Sequence, residues 1–212
     1  MKKIILCLLG LFFCMQSVTW ASIHQSKVAN VESIRSVFSY KDPEELKIYE
    51  QKKLVKEQTK SDEKIVEPDS VFRIFVSKDV FYSDGKSNKK IDLAITSHNR
   101  EYNFILDNEY PPYFILRDKQ KNEESLHLSK VKYDNPYWIS FNLTKEEIDK
   151  LVKADTVEVI IPEAKENIYY FNEDKNRIEK KAYKKNMDIV EQKYIVPNEI
   201  IKEWKQVLNN DI

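Results

Sequence analysis

Residues 137–161 read YWISFNLTKEEIDKLVKADTVEVII. Tyr137, Ile139, Phe141 and Leu143 alternate with Trp138, Ser140 and Asn142, the pattern of a strand with one buried face. Thr144 and Glu147 then stand at capping-box spacing, and Ile148, Leu151 and Val152 give the helix that follows an apolar stripe. Val157, Val159 and Ile161 restore the two-residue period up to Pro162, where a strand is expected to end. One short stretch therefore carries strand, capped helix and strand.

Short alternating runs continue on both sides. Phe72, Ile74 and Val76 alternate with Arg73 on the other face, and Val80–Tyr82 carries the run to Asp84-Gly85, a turn where positive φ is cheap at glycine. Ile91, Leu93 and Ile95 follow, then a predicted strand through Tyr102, Phe104 and Leu106, and another at 113–116. Leu126 and Leu128 continue to Val131 and Tyr133 with a shift of phase, read as a bulge. Further strands are expected at 168–171 and 187–196, the latter leading through Pro197-Asn198 into a helix with Ile200, Ile201, Trp204, Val207 and Leu208 on one face. Runs spaced about ten residues apart with turn signals between them predict an α+β protein, mainly an antiparallel β-sheet, meander or sandwich with two short helices.

The N-terminal part has another texture. Lys2 and Lys3 precede a nearly pure apolar run from Ile4 to Met15, and Thr19-Trp20-Ala21 supplies a cleavage pattern, so 1–21 reads as a secretory signal peptide. The pure run is shorter than the roughly 20 apolar residues that span a bilayer. Phe13 before Cys14 argues against lipid attachment there. Residues 22–69 read as a charged, partly helical spacer: 22–41 irregular, a helix opened by Asp42-Pro43 with Glu45 able to close a cap, and a polar linker ending near Pro68. The β-rich domain with its C-terminal helix is expected over 70–212.

Composition limits the chemistry. The 212 residues contain 35 Lys+Arg, 35 Asp+Glu, two cysteines and two glycines. Removal of 1–21 takes Cys7, Cys14 and Gly10, leaving Gly85 as the sole glycine and a charge balance of 33 basic to 35 acidic. Such a chain has no thiol nucleophile or cysteine metal site. It also lacks the glycine-rich phosphate loop, the dinucleotide fingerprint and the G-x-S-x-G elbow, all of which need glycine for positive φ or close approach. Balanced charge argues against a general nucleic-acid partner, and the cluster Lys180-Lys181 with Lys184-Lys185, flanked by Glu173, Asp174, Glu179 and Asp188, reads as a solvated face. His24, His98 and His127 form no H-x-H or H-x-x-x-H pair, so no local metal framework is written, and no cofactor is implied.

Contact residues are sought among aromatics beside proline turns. Tyr110 and Tyr113 flank Pro111-Pro112, and Tyr137 and Trp138 follow Asn135-Pro136. Exposed rings at such turns stack on sugar faces or anchor a peptide, whereas buried ones simply pack. The expectation is an exported bacterial envelope protein, periplasmic or secreted, acting as a non-enzymatic binding, adaptor or assembly module for a protein or glycan, with membrane contact only if the apolar start is retained. The alternative is a carboxylate-based hydrolase or lyase on a cell-wall or host polysaccharide. It would need two of the many acids, such as Asp107, Glu109, Asp118 or Asp134 near the turns, about 5–10 Å apart in a cleft.

Overall fold

The computed structural model describes residues 21–129, 131–181 and 188–211. The apolar start and part of the lysine cluster therefore lie outside the described residues. Among the described residues the fold is α+β, with mostly antiparallel sheets and three helices.

The larger sheet has six strands, β1 (Ala21–Val28), β2 (Val31–Tyr40), β3 (Phe72–Ser83), β4 (Lys86–Thr96), β8 (Trp138–Asn142) and β7 (Val131–Asn135), in that spatial order. The second sheet has the order β12 (Ile189–Val196), β9 (Thr156–Ala164), β5 (Tyr113–Arg117) and β6 (Glu123–Leu126). A separate hairpin joins β10 (Tyr169–Asn172) to β11 (Arg177–Lys180). The helices are α1 (Pro43–Thr59), α2 (Lys145–Lys153) and α3 (Asn198–Asn209). Among the described residues no helix is long and apolar enough to cross a membrane.

One hydrophobic core takes residues from both larger sheets and from α2 and α3. Phe72, Ile74, Ile95, Ile139 and Phe141 supply one side, Phe114, Val157, Val159 and Ile161 the other, and Trp204 lies edge-on to Phe114 at 6.5 Å. The alternation read at 137–143 is borne out: Ile139 and Phe141 are fully buried while Trp138 faces outward. Asp84 and Gly85 both take positive φ, 50° and 74°, so both central residues of the β3–β4 turn adopt the left-handed region that suits a tight hairpin. The Thr144–Glu147 capping box forms as expected.

Four expectations are corrected. Residues 22–41, read as the irregular part of a spacer, form most of β1 and all of β2, and β2 pairs with β3 over its whole length. The inward positions of β2 are Ile34, Ser36 and Phe38, and the buried serine interrupts the apolar period. Ser36 is accommodated because its Oγ donates to Glu203 Oε2 of α3 at 2.9 Å. Residues 102–106 make only an isolated bridge, Phe104 with Glu163, closed by Ile105 N donating to Pro162 O at 2.7 Å and Ala164 N donating to Asn103 O at 3.0 Å. The phase shift between Leu128 and Val131 marks a crossing from the second sheet to the first, since β6 and β7 belong to different sheets. Finally, β9 continues through Pro162 to Ala164. Tyr113–Ile160 is the last pair made by β5, so the missing N–H of Pro162 falls where that ladder has already ended.

Candidate functional site: the outer face of the six-stranded sheet

Strand register sets out the polar face of the large sheet in rows. Arg35, Ser77, Asp92 and Asn142 stand side by side on β2, β3, β4 and β8. The next row is Val37, Phe75, Ala94, Ser140 and Lys132. Thr96 pairs with Trp138 in the row beyond. Because Ala94 and Thr96 are small, rings from β3 and β8 meet across β4. Phe75 and Trp138 stack with centroids 5.6 Å apart and planes 11° from parallel. Trp138 keeps 37% of its surface exposed. Together with Arg35, Asp79, Lys90, Asp92 and Lys132 the two rings border an open hollow of about 420 Å³.

The acids of this hollow are already engaged. Ser33 Oγ donates to Asp79. Lys90 pairs with Asp92 at 2.5 Å, and Asn142 Nδ2 donates to the same carboxylate at 3.5 Å. The Arg35 guanidinium makes no hydrogen bond or ion pair among the described residues. The face thus offers an aromatic platform, a guanidinium and short hydroxyl and amide side chains held in register by strands.

The other aromatics singled out in the sequence lie elsewhere. Tyr110 packs against a second small core of Ile105, Ala164 and Ile168. Tyr113 stacks on His127 at 4.6 Å on the second sheet and donates its hydroxyl to Glu191 at 3.0 Å. Burial, then the hydrogen bond and charge of Glu191, raise the Tyr113 phenol above its usual pKa. Tyr137 lies 5.2 Å from the His98 ring, with the Lys180 ammonium 5.9 Å over its own. Tyr110, Tyr113, Tyr137 and Trp138 are therefore not one cluster, and only Trp138 borders the hollow.

Three residues of interest were not legible as such. Phe75 gives one local signal, an aromatic between Arg73 and Ser77 on an otherwise polar face. Arg35 was hidden in the segment read as irregular. Lys180 was read as part of a solvated cluster, but its amine donates to the carbonyls of Phe104 and Pro136, the latter at 3.1 Å. Burial pushes its ammonium down to about 8, against a weaker upward pull from Asp107. It ties the hairpin β10–β11 to two loops of the body.

A larger cleft, about 840 Å³, opens between α1, residues 66–70 and the ends of β3 and β4. Its border is mixed in charge, with Glu45, Lys52, Asp69, Arg73, Arg100 and Glu101. Burial, then the charges of Glu101, Asp42 and Asp69, push the Glu45 carboxyl upward. One wall is a helix that buries only Leu46, and another is a segment without regular structure, so this cleft lacks the rigid frame of the sheet face. Among the described residues no group of three or more His, Cys, Asp or Glu side chains is placed to hold a metal ion.

Comparison with protein-family models, with curated proteins and with solved structures found no match.

Proposed function

We propose that this chain is an exported bacterial envelope protein that acts as a non-enzymatic binding module, and that it holds a glycan on the outer face of its six-stranded sheet. The carrying observation is the Phe75–Trp138 stack beside Arg35 in the hollow. A flat aromatic surface is apolar enough to cover the C–H face of a sugar ring, and flanking hydroxyls, amides and a guanidinium suit its hydroxyl or acidic groups. The hollow falls in the ordinary size range of ligand sites, about 300–1,000 Å³. Export rests on the sequence of residues 1–21, with its two lysines, apolar run and small-residue end.

The test is titration of the protein with soluble cell-envelope polysaccharide while tryptophan emission is recorded. With residues 1–21, and so Trp20, removed, Trp138 is the exposed reporter and Trp204 the buried one. Binding should shift the emission, and Trp138→Ala should weaken it about tenfold or more with little change in unfolding midpoint. Equal affinity in Trp138→Ala would refute the sheet face as the site, and no binding of polysaccharide by the unaltered protein would refute the glycan reading. Turnover of the polysaccharide, lost in Asp79→Asn or Asp92→Asn, would instead favour the hydrolase or lyase alternative.

A further inference from the structure

Among the described residues, strand β12 is an edge strand of the second sheet, paired on one side with β9. Lys165 N donates to Asp188 O at 2.9 Å, which sets the phase of that ladder. In an antiparallel pair, directly opposed residues alternate between exchanging hydrogen bonds with the partner strand and pointing their amides away from it. Even-numbered residues of β12 therefore use their backbone groups on β9. Ile189, Glu191, Lys193 and Ile195 turn theirs to the open edge. The side chains of these odd residues share the face away from the main core, where Ile189 packs half-buried against Ile105, Ala164 and Ile168, Glu191 and Lys193 are exposed, and Ile195 is 69% exposed. Tyr194 and Val196 point the other way, into the core. An eight-residue edge with an exposed isoleucine is a feature that monomeric proteins normally blunt.

We propose that β12 pairs antiparallel with β12 of a second copy of this chain, across a two-fold axis at Gln192, so that the two four-stranded sheets become one. In this register Glu191 faces Lys193 of the other copy, twice by symmetry, and Ile189 faces Ile195, also twice. Val190 meets Tyr194 on the inner face. Each outward-pointing residue meets an outward-pointing residue, as the ladder requires. Neighbouring registers fail for stated reasons. A slip of one residue sets free amides against amides already bonded to β9. A slip of two places Lys193 opposite Lys193, or Glu191 opposite Glu191, and like charges directly opposed destabilise a strand pair. Charge complementarity thus selects a single, closed, isologous arrangement rather than a growing fibre. This inference is independent of the glycan reading, because β12 belongs to the other sheet.

The experiment is sedimentation velocity on the full chain over a concentration series. The unaltered protein should form a dimer that weakens with added salt. Lys193 makes no hydrogen bond or ion pair among the described residues, so Lys193→Glu leaves the monomer's contacts intact. It turns both cross-strand pairs from attraction to repulsion and should weaken self-association about tenfold or more. Glu191→Lys should do the same, and the double reversal E191K/K193E should restore the dimer. A protein that stays monomeric throughout, a dimer indifferent to either single reversal, or a double reversal that fails to recover would each overturn the proposal.

Discussion

Helices α1 and α3 invert one another. The N-cap Asp42 of α1 accepts from the amides of Glu44 at 2.8 Å and Glu45 at 3.2 Å, with Pro43 just inside, yet the helix buries only Leu46. Ile48, Leu54 and Val55 stay about half exposed, at 51%, 48% and 57%. α3 has no side-chain cap at its start, and it buries Ile200, Ile201, Trp204, Val207 and Leu208. The lesson is that capping decides where a helix begins, while the spacing of its apolar residues decides whether the fold holds it. α2 has both devices, a complete capping box and a buried Leu151. α1 is tied to the body near its start, where Tyr102 donates its hydroxyl to Asp42 at 2.8 Å.

Five substitutions test this contrast by chemical denaturation, taken from the largest expected effect to the smallest. Trp204→Ala should cost about 3–5 kcal/mol, since it empties a site at the centre of the shared core. Trp204→Phe should recover most of that loss, because the indole N–H has no partner among the described residues. Unchanged stability in Trp204→Ala would break the account of α3. Glu147→Ala should cost about 1–3 kcal/mol. That carboxylate is buried and accepts from Ser129 N at 2.6 Å and Thr144 N at 2.7 Å, and both amides would lose their partner.

Asp42→Ala should cost about 1 kcal/mol, the usual worth of an N-cap, and should loosen α1 first. Amide exchange in 43–59 is the readout, and protection unchanged there would refute the tether. A pH dependence accompanies it. Burial alone would raise the Asp42 carboxyl, but hydrogen bonds from Tyr102, Glu45 and Glu44 together outweigh it and hold the group below its ordinary value. A depressed carboxylate contributes stability above its unfolded pKa and loses it as pH falls through the folded one. Protection of α1 should therefore decline below about pH 4 in the unaltered protein and depend less on acid in Asp42→Ala. Leu54→Ala should stay within about 0.5 kcal/mol, as expected for an exposed position. A loss of several times that amount would mean that something covers the apolar side of α1.

The places where sequence reading succeeded are local in their physics. The alternation in β8, the capping box at Thr144 and the Asp84-Gly85 turn each involve residues only a few positions apart. The misses involve partners far along the chain. Residues 22–41 read as irregular because Ser36 takes an inward position, and its acceptor, Glu203 of α3, lies far along the chain. Lys180 looked solvated until the carbonyls of Phe104 and Pro136 closed on its amine. For the candidate site, Trp138 was visible as an aromatic beside a proline turn. Phe75 and Arg35 were not, because their neighbourhood is made by register across β2, β3, β4 and β8.

Residue order alone set the class of the fold, most strand and helix positions, and the missing cysteine and glycine motifs of whole families of chemistry. Those properties follow from period, backbone preference and composition, which act over a few residues. Which strands share a sheet, which aromatic meets which, and which edge stays open were settled by packing. They depend on contacts such as Phe75 with Trp138 and Ser36 with Glu203, between residues that no local pattern connects.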